Sequence, residues 1–516
     1  MQRVDKPLVI GHGPLSLQDV EHAAMGRTTV SLDDTHDFTA RIDRSAEYLG
    51  LRLSMGDLIY GVTSGYGADW KTTVPHELTQ RLPINLVNFH GCATGEFLRI
   101  EEVRAAMIIT INSLSRGYSG VRKAILDQLA ALINNNITPC IPCEGSVGAS
   151  GDLTPLSYIA ATLMGQREVW FGDTVMPADE ALTEAGIIPL ILHPKEGLAI
   201  MNSTAVMTGI AVLAYSRAYY IARLAAAITA IAIDALGANH SHMDSRIFDL
   251  KPHKGSAAAA AWIRTHLQFV NGRENGSARC LQDRYSLRCA PHVIGALLDG
   301  LSWIGNILET ELNSVNDNPL IFPEEGAILN GGNFYGGHVA LAMDMLKTAT
   351  ASIADLSDRQ LMLLLNSNSD YGLPDNLCAP ELPDGQAHHG FKAMQITASA
   401  LTAEALRNTM PASSFSRSTE SHNQDKVSMG TIAARDAMRI IDLTEKTLAI
   451  ELLSALQAVD LRGIEKCTTA SRAIHTFVRR YIPMVVEDRR MDTDIIRVLH
   501  WIRLRELPLQ DIDMSL

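Results

Sequence analysis

The second half of the chain repeats apolar residues at steps of three and four positions, the pattern of α-helices that bury one face. One such stripe consists of Val293, Ile294, Leu297, Leu298, Leu301, Ile304, Leu308 and Leu312. The same period predicts helices over residues 339–365, 391–410 and 427 to about 461. Gly463 is expected to close the last of these, because glycine is preferred just beyond a helix C-terminus.

The most apolar stretch of the sequence, residues 201–233, predicts a further helix. Arg217 and Arg223 interrupt it, so we interpret it as a buried helix of a bundle rather than a membrane span. The first 200 residues are mixed, with short apolar runs, turns and a helical pattern over about 101–134. Residues 366–390 are rich in Pro, Gly, Asn and Asp, which predicts a loop.

Together these patterns predict a mainly α fold with two domains. Residues 201–516 are expected to form an elongated bundle of long helices with an oligomerisation surface and a C-terminal cap. Residues 1–200 are expected to form a smaller mixed N-terminal domain, since 516 residues exceed the usual size of one core. Apolar stripes left half exposed on long helices would favour a homo-oligomer.

Composition and charge narrow the function classes. Hydrophobic residues make up 47% of the chain and aromatic residues only 5%, which suits packed helices better than a β-sandwich. The net charge of -13 argues against a nucleic-acid or anionic-membrane partner. Seven scattered cysteines and an N-terminus without a signal-like apolar run indicate a cytoplasmic protein with reduced thiols. Cys140 and Cys143 form a CxxC pair without a second ligand pair, so no metal site is expected.

Residues 144–158 read EGSVGASGDLTPLSY and place three glycines ahead of an apolar run. A phosphate cradle is excluded for this stretch, because no Gly-Lys-Ser/Thr follows. A plain loop is one interpretation, in which Asp152 or Thr154 caps a helix that begins near Pro155.

A chemical interpretation applies to the Ala-Ser-Gly tripeptide at its centre. The amide nitrogen of Gly151 would attack the carbonyl carbon of Ala149, since glycine has no Cβ to block that approach. Loss of one water from that ring and one from the side chain of Ser150 would leave a methylidene-imidazolone, a strong electrophile made from backbone. This reaction needs a tight bend, for which Gly145 and Gly148 supply permissive dihedral angles.

The stretch GSVGASGDLTPLSY resembles the signature of the aromatic amino acid ammonia-lyases and aminomutases, which act on histidine, phenylalanine or tyrosine. Further blocks resemble that family in its order: YGVTSGYG at 60–67, KEGLA at 195–199, MNST at 201–204, QDRYSLRC at 282–289, NDNPL at 316–320, GGNF at 331–334 and NQDKVSM at 423–429. The resemblance implies a 4-methylidene-imidazol-5-one group (MIO) formed autocatalytically from Ala149, Ser150 and Gly151, with no metal or nucleotide. It also implies a homotetramer whose active sites are shared between chains.

The resemblance assigns roles to individual residues. Tyr60 is the expected general base that removes the β-proton of the substrate, and we predict that its pKa is depressed. Arg288 is expected to bind the substrate carboxylate, for which a planar guanidinium is better suited than lysine. The other expected site residues are Asn202 and the catalytic Tyr285 beside the prosthetic ring, Gln282 and Asn333 as substrate holders, and Phe334 as a wall of the pocket.

Substrate choice is expected to depend on Phe89 and His90, at the position of the family's specificity pair. Phenylalanine lyases often present Phe-Leu there, and histidine and several tyrosine enzymes present Ser-His, so this pair is a hybrid. His90 suits a phenolic hydroxyl, and Gln424 stands where histidine lyases carry a glutamate. These residues favour L-tyrosine as the substrate, giving trans-4-coumarate and ammonia.

Other functions stay open at this point. Phenylalanine, a substituted analogue, or histidine giving urocanate are alternative substrates, and a tyrosine 2,3-aminomutase would use the same residues with a different lid. An inactive helical scaffold is the non-enzymatic alternative. Against it, the sequence retains Tyr60, Ala149, Ser150, Gly151 and Arg288.

Overall fold

A computed structural model describes residues 6–271, 280–366, 371–379 and 384–510 of the chain. The chain forms two compact units, each assembled from three separate stretches. The first unit comprises Met1–Ser216, Gly305–Asp344 and Pro411–Arg435, and the second comprises Arg217–Ile304, Met345–Met410 and Asp436–Leu516. This division differs from the single boundary expected at residue 200, because four long helices each contain a unit boundary.

Helices dominate both units. They are α1 (Leu17–Ala24), α2 (His36–Ser54), α3 (Leu82–Phe89), α4 (Ile100–Leu114), α5 (Lys123–Asn134), α6 (Thr154–Leu163), α7 (Ala178–Glu184), α8 (Glu196–Met201), α9 (Ala205–Leu236), α10 (Ser245–Asp249), α11 (Lys254–His266), α12 (Tyr285–Arg288), α13 (Ala290–Leu312), α14 (Gly337–Leu365), α15 (Lys392–Arg407), α16 (Gly430–Arg462), α17 (Thr469–Arg479) and α18 (Asp492–Leu504). Four of the five unit boundaries fall inside α9, α13, α14 and α16, and the fifth, between Met410 and Pro411, follows α15.

Short strands occur in the first unit. They are β1 (Leu8–Ile10), β2 (Val30–Leu32), β3 (Thr94–Phe97), β4 (Ile137–Pro139), β5 (Pro142–Glu144), β6 (Glu168–Phe171), β7 (Thr174–Pro177), β8 (Leu320–Phe322) and β9 (Ala327–Leu329). β1 pairs with β2 in parallel, and the antiparallel sheets are β3-β5, β4-β6-β7 and β8-β9. The predicted mixed character of the N-terminal region is therefore present, although helices outweigh these two- and three-stranded sheets.

The helical periods of the sequence agree with the observed long helices. All residues of the predicted stripe on α13 are buried except Val293, which is half-buried. α16 ends at Arg462, and Gly463 follows it with a φ of 96°, as expected for a closing glycine. The helical pattern over 101–134 proved to be two helices, α4 and α5. The chain between them turns at Gly117 and Gly120, both with positive φ.

The apolar stretch at 201–233 forms most of α9. Among the described residues, Glu196–Leu236 is the one helical segment long and apolar enough to cross a membrane, and its most apolar window is entirely buried within the protein. The interpretation as a buried core helix agrees with this burial. In the predicted loop, the described residues 371–379 and 384–390 contain only the 3₁₀ turns Asp375–Leu377 and Gly385–Ala387.

Candidate active site

The Ala-Ser-Gly tripeptide lies in a strained turn between β5 and α6. Ser150 and Gly151 have positive φ values of 49° and 76°, and Gly145 and Gly148 also have positive φ. A serine in the left-handed region is unfavourable, so the surrounding structure has to impose it. A Cβ on Gly151 would lie 2.2 Å from the carbonyl oxygen of Ser203, so only glycine fits there. The turn is thus bent and crowded, as the proposed cyclisation requires.

Asp152 anchors this turn to the start of α9. Its buried carboxylate accepts hydrogen bonds from the backbone N–H groups of Val206 (2.7 Å) and Met207 (3.2 Å) and from the hydroxyl of Thr431 (2.6 Å). Asp152 therefore caps α9, where it satisfies helix N-terminal donors. The expectation that Asp152 or Thr154 caps the helix near Pro155 is wrong. That helix, α6, begins at Thr154 after Leu153, without a side-chain capping bond.

Two buried oxygen atoms at the start of α9 have no hydrogen-bond partner in the described part of the chain: Oδ1 of Asn202 and Oγ of Ser203. Asn202 Nδ2 donates to the backbone carbonyl of Asn318 at 3.2 Å. Because buried polar atoms are normally paired, these orphaned oxygens indicate a missing polar neighbour. The crowded turn at 149–151 and the orphaned oxygens fit a polar prosthetic ring formed from that turn.

Tyr60 opens the glycine-rich loop at 60–67. Its hydroxyl oxygen accepts a hydrogen bond from the backbone N–H of Gly67 at 2.8 Å. Burial raises the pKa of Tyr60, the Gly67 N–H lowers it, and the carboxylate of Glu420 raises it again. The predicted depression of the Tyr60 pKa is therefore wrong for the single chain, because desolvation of the phenolate outweighs the one N–H that stabilises it.

Glu420 is a site residue that the sequence did not reveal. Its Oε2 accepts a hydrogen bond from the backbone N–H of Ala68 at 2.7 Å, so it holds the loop that carries Tyr60. Glu420, Ser421 and His422 all have positive φ, between 53° and 64°. Three consecutive residues in this region form an unfavourable turn, which places the carboxylate against the tyrosine loop. No sequence spacing links positions 60 and 420, so only the three-dimensional structure brings them together.

His90 follows the last residue of α3 and borders the same cavity as Tyr60. Its Nδ1 lies 3.2 Å from the hydroxyl oxygen of Thr154, and its ring centroid lies 4.5 Å from that of Phe89. Burial, helped by the nearby Arg167 guanidinium, lowers the pKa of His90 to about 4. His90 is therefore neutral at pH 7, with one donor and one acceptor nitrogen.

Gln424 contacts the central residue of the tripeptide. Its Nε2 donates to Ser150 Oγ at 3.1 Å, and its Oε1 accepts from the hydroxyl of Thr419 at 3.1 Å. The strained turn at 420–422 and the bridge between Thr419 and Gln424 fix the amide in this position. The neutral amide predicted at this position therefore also orients the serine hydroxyl.

These residues surround one cavity of about 660 Å³ in the first unit. Of the predicted site residues, those that line it are Tyr60, Phe89, His90, Ala149, Ser150, Asn202, Phe334 and Gln424. Further lining residues, which sequence reasoning missed, include Leu58, Tyr66, Trp70, Leu153, Asn318, Asn330, Tyr335 and Glu420. Asn333 is exposed beside the cavity, and its Nδ2 donates to the backbone carbonyl of Val315 at 3.4 Å. The structure thus brings eight predicted residues to the wall of one cavity. Asn333 is not among the lining residues, whereas the nearby Asn330, Phe334 and Tyr335 are.

Three predicted residues lie in the second unit, which does not contain this cavity. They are Gln282, Tyr285 and Arg288. Tyr285 is 71% exposed, and the guanidinium carbon of Arg288 lies 4.5 Å from its ring centroid. Arg288 Nε is buried and has no hydrogen-bond partner among the described residues. None of the three therefore lines the cavity that contains Ser150.

Comparison with known proteins identifies the class of protein to which this cavity belongs. Residues 15–480 match the family described as aromatic amino acid lyase. A histidine ammonia-lyase of Geobacillus thermodenitrificans (strain NG80-2) is 40% identical over 451 residues, which are 87% of this chain and 88% of that protein. The chain belongs to the aromatic amino acid lyase family. It is an enzyme of the ammonia-lyase class, and that family in general depends on MIO.

Solved structures of the aromatic amino acid lyase family confirm the mainly α fold predicted from the sequence. A tyrosine aminomutase from Streptomyces globisporus matches with a TM-score of 0.92 and 35% identity, over 99% of this chain and 100% of that chain. A histidine ammonia-lyase from Trypanosoma cruzi matches with a TM-score of 0.88 and 31% identity, over 97% and 94% of the two chains. The similar family members thus include both lyases and aminomutases, so sequence and structural similarity alone do not decide the substrate or the reaction of this chain.

The pKa of His90 predicts a pH-dependent component of the stability of this family member. The unfolded chain takes up a proton on this histidine near pH 6.5 and the folded chain only near pH 4, so acid between those values favours unfolding. From pH 8 to pH 5 the free energy of unfolding should fall by up to about 2 kcal/mol through this group. In His90→Gln this part of the fall should be absent, as measured by denaturant unfolding at both pH values. Asn88→Ala, on the exposed face of the same helix, should keep the wild-type fall. Equal pH dependence in His90→Gln and wild type would contradict the assignment.

Proposed function

We propose that this chain is an aromatic amino acid ammonia-lyase that converts L-tyrosine to trans-4-coumarate and ammonia. The observation that carries the proposal is a neutral imidazole, His90, on the wall of the cavity that also holds Tyr60 and Ser150. The rest of the wall near His90 is apolar, with Leu86, Phe89 and Leu153. An aromatic ring with one polar substituent matches such a surface.

Residues 149–151 are proposed to form the MIO group, which supplies an electrophilic carbon that takes the substrate amine and makes it a better leaving group. Asp152 and Ser203 hold the turn from the buried side. Asn202 Oδ1 and Gln424 Nε2 provide an acceptor and a donor on its other sides. This chain's own contribution is thus a rigid, hydrogen-bonded frame for the modified residues.

Tyr60 is proposed as the base that takes the β-proton. With a raised pKa, its phenol is protonated at neutral pH in a single chain, so the reactive phenolate needs a positive neighbour. The Gly67 N–H already points at the phenol oxygen and favours its ionised form. In the proposed homotetramer, Arg288 of a second chain would add the positive charge and bind the substrate carboxylate.

Subunit sharing also accounts for the positions of Gln282 and Tyr285. Both side chains are exposed, and neither residue lines the cavity of the first unit. We assign them to a neighbouring cavity in a homotetramer, which we place in the cytoplasm. Reduced cysteines agree with that compartment, since all seven are free thiols in the structure.

The contact between substrate ring and His90 is proposed to set specificity. A phenol hydroxyl satisfies the imidazole, whereas the phenylalanine ring leaves a buried polar nitrogen without a partner, which costs binding free energy. Gln424 offers a neutral amide, without the carboxylate that would pair with a substrate imidazole. Both features favour tyrosine over phenylalanine and histidine.

Two other activities have specific support. Deamination of histidine is favoured by the 40% identity to a histidine ammonia-lyase. An aminomutase reaction on tyrosine is favoured by the TM-score of 0.92 to a tyrosine aminomutase. If histidine is the substrate, its imidazole would pair with one of the carboxylates at the cavity, Glu420 or Asp425.

Ultraviolet assays with tyrosine, phenylalanine and histidine, each supplied separately, test the proposal. Wild-type protein should form 4-coumarate from tyrosine with the highest kcat/KM. His90→Phe should lower the ratio of tyrosine to phenylalanine kcat/KM by about tenfold or more, because the hydroxyl loses its partner. Asn88→Ala, exposed and outside the cavity, is the control that should keep the wild-type ratio. Urocanate as the preferred product, or β-tyrosine as the main product, would replace tyrosine lyase by the corresponding alternative.

A further inference from the structure

Thr154 is the first residue of α6. It is buried, with 7% of its surface exposed, and its hydroxyl oxygen lies 3.2 Å from His90 Nδ1. Among the described residues the hydroxyl has no other hydrogen-bond partner. The side chain of Thr154 therefore has one polar contact, and that contact is with the ring proposed to recognise the substrate.

The position of Thr154 at the helix start explains why its hydroxyl is available. Threonines inside helices bond back to the carbonyl four residues earlier, as Thr110 does to Ala106 and Thr162 does to Tyr158. Four residues before Thr154 is Ser150, which is not helical. With no such carbonyl to accept its proton, the Thr154 hydroxyl is left to pair with His90.

The first turn of α6 also fixes the backbone of His90. Ser157 Oγ lies 2.7 Å from the carbonyl oxygen of Thr154 and 3.1 Å from that of His90, so its hydroxyl proton is shared between them, and Arg167 Nη1 donates to Ser157 Oγ at 2.9 Å. Arg167 Nη2 donates to the carbonyl oxygen of Val87 at 2.6 Å. Both the backbone and the ring of His90 are therefore held by the helix that directly follows the Ala-Ser-Gly turn.

Engagement of Nδ1 leaves Nε2 as the ring nitrogen for a substrate, since Nε2 has no hydrogen-bond partner in the described part of the chain. A hydroxyl both donates and accepts, so Thr154 can pair with either neutral tautomer of His90. When Thr154 donates to Nδ1, the proton of the ring resides on Nε2, and the imidazole then presents a donor to the substrate. A valine in place of Thr154 would fill the same space and leave the ring without this constraint.

We propose that Thr154 is a positioning residue for substrate specificity: its hydroxyl orients His90 so that Nε2 hydrogen-bonds a polar group on the substrate ring. The proposal rests on the proposed function, because it deepens the role of His90 in that site. It predicts that Thr154 affects substrates with a hydrogen-bonding ring group and spares those with a bare phenyl ring.

Three variants at residue 154 and elsewhere on α6 test this proposal through kcat/KM for tyrosine and phenylalanine. Thr154→Val should lower kcat/KM for tyrosine by about tenfold, because the substrate hydroxyl loses its hydrogen bond to an oriented His90 ring. It should change kcat/KM for phenylalanine by less than about twofold, because that ring has no hydrogen-bonding group. Thr154→Ser keeps the hydroxyl and should restore most of the wild-type ratio. Thr162→Val removes the back-bonded hydroxyl on the same helix and should leave the ratio unchanged.

A double-mutant cycle separates positioning from general stability. If Thr154 acts through His90, Thr154→Val should have no effect on the ratio once His90→Phe is present. Parallel loss of both activities in Thr154→Val, or an equal effect in the His90→Phe background, overturns the proposal. Wild-type protein that prefers histidine over tyrosine contradicts the proposed function instead, and the same cycle with histidine against phenylalanine then decides the role of Thr154.

Discussion

Ser150→Ala should lower kcat for deamination by at least about a thousandfold, because in the proposed MIO the loss of the Ser150 hydroxyl as water creates the electrophilic methylidene carbon. The variant should still fold. The Ser150 side chain is half-buried, and its hydroxyl oxygen accepts a hydrogen bond from Gln424 Nε2. Steady-state assays at saturating substrate measure the loss, and thermal unfolding checks the fold. Undiminished deamination in a well-folded Ser150→Ala protein would disprove the chemical role of the turn.

Gly151→Ala tests the same turn without touching a reactive side chain. The added Cβ would lie 2.2 Å from the Ser203 carbonyl oxygen, at a φ of 76° that alanine rarely adopts. Activity should fall together with MIO formation, because the nitrogen of residue 151 would move away from the carbonyl of Ala149. A fully active Gly151→Ala variant would show that the crowded turn is not needed.

Tyr60→Phe should lower kcat by about a hundredfold to ten-thousandfold, the range found when a general base is removed. The change keeps the ring that packs in the cavity and removes only the oxygen bonded by Gly67. Tyr66 is the matched control, because it lines the same cavity and burial raises its pKa as well. Tyr66→Phe should therefore stay within about tenfold of wild type. Equal losses in both variants would show that the cavity needs tyrosine packing rather than a base at residue 60.

The long helices could be predicted from sequence, because a helix that buries one face needs apolar residues at every third or fourth position, whatever it packs against. The stripe on α13 and the closing Gly463 of α16 are examples. The break between α4 and α5 was missed, since residues on both sides of Gly117 and Gly120 continue the apolar pattern. The division of the chain into units could not be predicted from sequence, because four of the five unit boundaries fall within helices whose apolar pattern continues across the boundary.

The site was predictable only as far as local motifs extend. Ser150, Tyr60 and His90 stand in recognisable blocks, and the structure brings all three to one cavity. The direction of the Tyr60 pKa was wrong because it depends on burial and on Glu420, which lies 360 positions away in the chain. The capping role of Asp152 was misplaced for the same reason, as its helix begins more than fifty residues later.

The residues proposed to act across chains cannot be placed in the site from one chain. Tyr285 is exposed and Arg288 is half-buried, and both belong to the second unit, whereas the cavity residues belong to the first. Their proposed place in the site depends on the proposed homotetramer, which the sequence indicates only through its resemblance to the family. Thr154 was considered only as a helix cap, because its contact with His90 joins positions 64 residues apart.

Intact-mass spectrometry of the purified protein tests the self-modification most directly. Wild-type protein should be lighter than its encoded sequence by two water molecules, with the loss located to the peptide that contains residues 149–151, and Ser150→Ala should not show the loss. Active wild-type protein with the full encoded mass would contradict the account.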